Sequence, residues 1–404
     1  MEIKEGLHLS YCSNIHPGES WREVFSALKE NIPPIKINLS PDKPFGIGLR
    51  LSALAASELN KQDKLEEFTD WLKENKCYVF TMNGFVFGGF HNRIVKDNVY
   101  RPDWAFPQRV NYTMELIQIL AHLIPPGSEA GISTSPISYK PWIKHLETER
   151  KVLNDSSMYL AYCVKELYLL KAETGKYIHL DIEPEPGCLL ENSTETVKYF
   201  EESLIPVATK VLMTELKLSK QESEALILEH INVCYDVCHF AVEYEDHDTA
   251  IRSFQDAGIH IGKIQISSAL KVLTGPGVNR EKLQKKYSEF AESTYLHQTI
   301  AKDLVGRLHH FDDLPLALEN FKREELVEWR THYHVPVFME AYGELSSTRD
   351  DIIKVLDILK RERFTNHLEV ETYTWEVLPR SERLELKESI IREMKWVMEC
   401  MNRK

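Results

Sequence analysis

YIHLDIEPEPG, residues 177–187, and INVCYDVCHFAVEYED, residues 231–246, decide how this chain is read. Each begins with a short run that is apolar on both faces. Each run then breaks at a carboxylate, Glu183 in the first and Asp236 in the second. Strands apolar on both faces belong to a buried parallel sheet, since the helices of βαβ crossovers cover both sides. Runs of the same kind stand at 7–12, 46–51, 77–82, 130–134, 261–266 and 367–372.

Between these runs the apolar residues recur with a helical period, over 18–30, 57–75, 107–124, 193–217, 246–257, 348–361 and 380–401. Trp21, Val24, Phe25 and Leu28 form one such stripe. Thr348 stands before Arg-Asp-Asp, where its hydroxyl can cap free N–H groups and the acids suit the helix dipole. Eight strands alternating with helices predict an α/β fold, a single (β/α)8 TIM barrel over residues 1–404. A doubly wound open sheet would want a glycine-rich phosphate loop after its first strand, and Ser13-Asn-Ile-His-Pro-Gly18 is not one. A minimal barrel needs about 250 residues. The excess falls in long βα-loop insertions at 84–106, 139–175 and 268–345. All three follow strand C-termini, where barrel active sites are built.

Of the 404 residues 43% are apolar and 27% charged, which excludes a disordered chain. Lys and Arg number 49 against 62 Asp and Glu, a net charge of −13. An acidic chain without a basic cluster repels phosphate backbones, so no nucleic-acid partner is expected. The seven cysteines form no CxxC pair, which favours a reducing compartment. The N-terminus reads as no signal peptide, and no run of 18 apolar residues occurs. A cytoplasmic protein without direct membrane insertion is expected.

Four strands end on a side chain that can ligate: Glu183, Asp236, Gln265 and Glu371. In a barrel these ends converge on one mouth. Carboxylates brought together in a low-dielectric pocket repel, and a bound divalent cation relieves them, since carboxylate and amide oxygens are hard ligands. His239 lies three residues past Asp236 and returns an imidazole to the same mouth. His332 and His334, in His-x-His, fall on one side of an extended chain, a spacing that suits a metal or two satisfied histidines equally. His297 and the pair His309–His310 are weaker candidates in the same insertion. Cys234 and Cys238 read as small buried hydrophobes. His16, Asn83, His91, Lys96 and Trp142 could wall a pocket for a small polyhydroxylated metabolite, and Lys96, Arg50 and Lys140 could meet an anionic substituent.

These residues resemble the xylose isomerase-like barrels. VCYDVCHFAVEYED is similar to a strand-six motif of their endonuclease IV branch, IEPEPG to a strand-five turn led by a ligand Glu, and LEVETYT to a strand-eight Leu-Glu-Thr. More closely, SYCSNIHPGESW, TMNGFVFGGFH, EPEPGCLLE, YLHQT, HYHVPVF and HLEVETYTWEVLP resemble the metabolite-traffic protein EboE family. The resemblance implies a divalent metal cofactor (Mn, Mg, Zn or Co), held by Glu183, Asp236, Gln265 and Glu371 with the three histidines. It also implies a functional link to the other proteins of an ebo-type secondary-metabolite operon. Gln265 stands where the superfamily has a histidine.

Three functions follow as expectations. The first is a metal-dependent isomerase or epimerase of a sugar-like, sugar-phosphate or cyclitol substrate, with Glu183 and Glu371 as the proton-moving pair. The second is a barrel that binds a metabolite without converting it. The third is a zinc-dependent phosphodiesterase, which needs two or more ions and a basic groove. Oligomeric state is left open.

Overall fold

The computed structural model describes residues 1–89, 91, 94–275, 277–375, 378 and 385–403. Eight parallel strands form its centre: β1 (Leu7–Tyr11), β2 (Phe45–Arg50), β3 (Cys77–Asn83), β4 (Glu129–Thr134), β5 (Tyr177–Ile182), β6 (Ile231–Asp236), β7 (Ile261–Ile266) and β8 (His367–Val370). Neighbours pair in chain order from β2 to β8, and β8 pairs with β1. The remaining seam, β1 to β2, is held by the parallel bridge Cys12–Gly48 and by Ser10 Oγ, which donates to the Gly46 carbonyl at 2.9 Å.

Two features depart from the strict (β/α)8 barrel expected. A short strand, Glu2–Lys4, adds antiparallel to β1 and makes the central sheet nine-stranded and mixed. The insertion at 268–345 is not a plain loop. It builds a six-stranded antiparallel sheet, in the order 308–311, 299–303, 326–331, 270–273, 345–347, 341–342. That sheet leaves the barrel immediately after β7 and returns through the helix Arg349–Arg361 to β8.

Helix starts follow side-chain capping. Ser20 and Glu23 form a reciprocal capping box, so the first helix begins at Trp21 rather than at 18 and continues to Leu39. The 193–217 segment is helical throughout, with one wide turn at Phe200–Leu204, next to Pro206, which lacks an N–H. The helix Lys220–His230 was not read from the sequence, although Ser219 and Glu222 box its start. Thr348 does precede a helix, but its hydroxyl accepts from the Ala269 N–H at 2.8 Å and ties β7's exit to β8's approach. The C-terminal helix is Leu386–Asn402; residues 380–384 of the expected 380–401 lie outside those described.

The apolar core lies mainly between strands and helices. The inside of the barrel is polar, unlike the expectation for strands apolar on both faces. Lys263 on β7 and Glu369 on β8 pair at 2.6 Å with both side chains fully buried, and Lys263 Nζ also reaches Ser133 Oγ at 3.1 Å. Gly48 makes room for this pair, since a Cβ there would lie 1.9 Å from Glu369 Oε1.

Candidate metal centre

Asp236 ends β6 and caps the short helix Val237–Val242, accepting from the His239 N–H at 3.2 Å. Ser267 Oγ donates to the same oxygen, Oδ1, at 2.6 Å. Both contacts leave Oδ2 buried without a hydrogen bond, 3.7 Å from His334 Nε2, which is likewise unpartnered. The capping turn is what returns His239 to the mouth. Its Nδ1 meets the Pro184 carbonyl at 2.8 Å, and Nε2 lies 3.9 Å from Asp236 Oδ1.

The His-x-His segment follows the inserted strand Leu326–Thr331 and lies across this mouth. His334 Nδ1 meets the Glu371 carbonyl at 3.0 Å, which turns Nε2 toward Asp236. His332 Nδ1 lies 2.9 Å from Gln298 Oε1, and its Nε2 lies 3.3 Å from His239 Nε2. Burial, with Asp236 opposing, leaves His334 lowered to about 4. Burial and the neighbouring His239 and His334 hold His332 well below the ordinary range. Both are therefore neutral at pH 7 and able to ligate.

Glu183 lies one residue beyond β5, and Glu371 one beyond β8. Asn14 and Asn83 both donate to Glu371 Oε1, at 2.8 and 2.9 Å, whereas Glu183 Oε2 is buried and unpartnered. Burial pushes the Glu183 carboxyl well above the usual range, and the charges of Glu371 and Asp236 add to this. Glu371 is raised well above it too, by burial and by Asp236 and Glu369. Glu183, Glu371, Asn14, Asn83, His239, His332 and His334 line a cavity of ≈ 50 Å³ that Phe85, Val86, Val99 and Tyr373 wall; Asp236 lies behind them.

Several clusters have the geometry a divalent ion requires. Asp236, His239 and His334 offer ligand atoms within 4.8 Å of one another, as do Glu185, His239 and His332, and Cys238, His332 and His334. The donor set fits an ion of the zinc or manganese kind, mixing imidazole with carboxylate. Three buried atoms without partners, Glu183 Oε2, Asp236 Oδ2 and His334 Nε2, are what such an ion would satisfy.

The structure thus brings Glu183, Asp236, Glu371, His239, His332, His334 and Asn83 together. Gln265 stays inside the barrel, where its Oε1 accepts from Cys234 Sγ at 2.7 Å. His91 lies outside the cavity, its Nε2 2.6 Å from the Asn14 carbonyl and its Nδ1 3.5 Å from the Tyr295 hydroxyl. His16 meets the Tyr11 hydroxyl at 2.9 Å, Lys96 pairs with Asp313 at 2.7 Å, and Trp142 donates to Asp97 at 2.9 Å; none lines the cavity. Lys140 pairs with Glu191 and Glu195, and Arg50 donates to the Gly18, Val86 and Gly88 carbonyls. No Lys or Arg lines the cavity among the described residues.

Glu185 was missed. It accepts from the Tyr100 hydroxyl at 2.7 Å and lies 3.4 Å from His332 Nδ1. Its spacing of two from Glu183 in EPEP was the available signal. Cys238 joins the histidines instead of acting only as a hydrophobe.

No family model matches the chain, and no curated protein matches it. Among solved structures it is similar to a D-tagatose 3-epimerase-like protein (10% identity, 98% of each chain, TM-score 0.49). It is also similar to a xylose isomerase-like TIM barrel protein from Mycobacterium smegmatis in complex with magnesium (7% identity, 98% of this chain and 96% of that one, TM-score 0.49). A third is the IOLI protein with a bound zinc atom (11% identity, 98% of each chain, TM-score 0.46).

Proposed function

We propose that the barrel mouth is a divalent-metal-dependent isomerase or epimerase site for a small sugar-like, sugar-phosphate or cyclitol substrate. The observation that carries this reading is that Glu183 Oε2 and His334 Nε2, on residues lining the cavity, and Asp236 Oδ2, 3.7 Å from that imidazole nitrogen, are all buried without partners. Asp236, His239 and His334 would hold the ion, with Glu183 and Glu371 beside them. When bound, it supplies Lewis-acid polarisation of a substrate carbonyl.

The chain's own residues then divide the work. Asn14 and Asn83 fix Glu371 through Oε1 and leave Oε2 as the proton-accepting atom toward the substrate. Glu183, raised by burial, carries a proton on its free oxygen and returns it to carbon. A carboxyl on each side of a planar intermediate inverts a centre or moves a carbonyl, depending on which carbon receives the proton. Phe85, Val86 and Tyr373 exclude water from the exchange. The motifs shared with the EboE family support a place in a secondary-metabolite operon.

The test is solvent deuterium exchange. The protein is loaded in turn with Mn2+, Mg2+, Co2+ or Zn2+ and incubated in D2O with a panel of ketoses, aldoses and inososes. Exchange at the carbon beside the carbonyl, lost in Glu183→Gln, supports the reading. Binding of a panel member with no exchange under any metal would instead establish binding without conversion.

A further inference from the structure

We propose a second, separate metal site at the opposite, N-terminal end of the barrel, formed by Glu129, His179 and His367 and suited to a zinc-class ion. Glu129 opens β4, His179 sits two residues into β5, and His367 opens β8. Their ligand atoms lie within 4.8 Å of one another. This end lies at the strand starts, far along the sheet from Glu183, Asp236 and Glu371, so the inference does not rest on the reading of the mouth.

Four observations point to an ion. First, His179 and His367 are 0% and 1% exposed, and each keeps a buried ring nitrogen, Nε2 and Nδ1 respectively, with no hydrogen-bond partner. Two buried imidazoles with idle nitrogens cost free energy unless something satisfies them. Second, His179 Nδ1 lies 2.5 Å from Asp181 Oδ1. A carboxylate on the far nitrogen fixes the tautomer so that Nε2 presents its lone pair, which is the usual outer support of a ligating histidine.

Third, Glu129 is aimed in the same way. Its Oε2 accepts from Asn366 Nδ2 at 2.7 Å, and Oε1 faces His179 Nε2 at 3.8 Å. Bonds of about 2.0–2.1 Å to a tetrahedral ion set its donors roughly 3.4 Å apart, so Glu129 need close by only a few tenths of an ångström. Fourth, three protein ligands leave one position open. Glu129 and His367 both line a cavity of ≈ 750 Å³ together with His8, Tyr78 and Phe80, from which an ion or an exchangeable fourth ligand can enter. Two imidazoles and one carboxylate select a borderline ion over Mg2+ or Ca2+.

The test uses the full chain with the mouth disabled by Asp236→Asn/His334→Ala, stripped by chelator and reloaded with Zn2+ or Co2+. About one ion per chain should remain, with Co2+ showing the intense visible absorption of a four-coordinate site. Glu129→Gln and His367→Ala should each weaken that retained ion at least tenfold, and Zn2+ should no longer raise their melting temperature. Glu129 is 36% exposed, so Glu129→Gln decides the matter even where His367→Ala fails to fold. Retention of no ion in the mouth-disabled protein overturns the proposal, as does an ion held undiminished by Glu129→Gln. A wild-type protein whose sole ion is lost with Glu129→Gln would instead remove the mouth reading and leave this one standing.

Discussion

Lys263→Met should destabilise the protein strongly, and Lys263→Met/Glu369→Leu should recover most of the loss. Lys263 Nζ and Glu369 Oε2 lie 2.6 Å apart inside the barrel, both fully buried. Removing the ammonium alone leaves a buried carboxylate with no countercharge, which costs about 3–5 kcal/mol. Replacing both with apolar groups removes the stranded charge, and such exchanges are often neutral. Unfolding entropy of about 2.1 cal/mol/K per residue over this chain makes the single substitution worth a melting shift of roughly 4–6 °C. Denaturant unfolding followed by circular dichroism, together with thermal melts, reads both variants. Lys263 also lowers the Glu183 and Glu371 carboxyls, so the single variant should bind its ion more weakly at a given pH. A single variant within 1 kcal/mol of wild type, or a double variant as unstable as the single, would refute the reasoning.

Other outcomes follow from the same contacts. Asn83→Ala removes one of the two amides that hold Glu371 Oε1, and should weaken metal binding about 10–100-fold while the fold persists, measured by competition with a chelating dye. Metal affinity should rise with pH, because Glu371, raised by burial and by the charges of Asp236 and Glu369, must lose its proton to offer the ion a carboxylate. Calorimetry in buffers of different ionisation enthalpy should show proton release, and zero release would contradict it. Glu393, on the C-terminal helix, is pushed up to about 8 by burial. It therefore binds a proton more tightly folded than unfolded, and its contribution, complete below about pH 4.3, fades as pH rises to about 8. Glu393→Gln should flatten the pH dependence of stability across that window, read from melts at several pH values. Gly48→Ala should behave like a wedge, since its Cβ meets Glu369 Oε1 at 1.9 Å and the Tyr11 carbonyl at 2.7 Å; a variant that melts with wild type would show that the pair can move aside.

The eight barrel strands were legible to within about two residues because each is a short apolar run ended by a polar residue. The carboxylates Glu183, Asp236 and Glu371 were legible for the same reason, as strand-end acids. Gln265 was chosen by its place on β7, yet that strand continues, and Ser267 is the residue that touches Asp236. His239 and His334, both legible as candidate ligands, come within 3.9 and 3.7 Å of Asp236, but the path of the insertion that carries His334 there follows no local period. The six-stranded sheet escaped notice because several of its strands, such as Leu345–Ser347, are too short to show alternation, and because its pairings join distant segments. The polar barrel interior was hidden by counting runs as apolar although Asp181, Lys263 and Glu369 lie within them.

Anomalous diffraction from crystals soaked in Zn2+ tests the central claim most directly, because it locates the ion as well as counting it. A strong zinc-edge peak bonded to Asp236, His239 and His334 beside Glu183 is the result expected. Empty density among those side chains, at saturating Zn2+ and neutral pH, would contradict it.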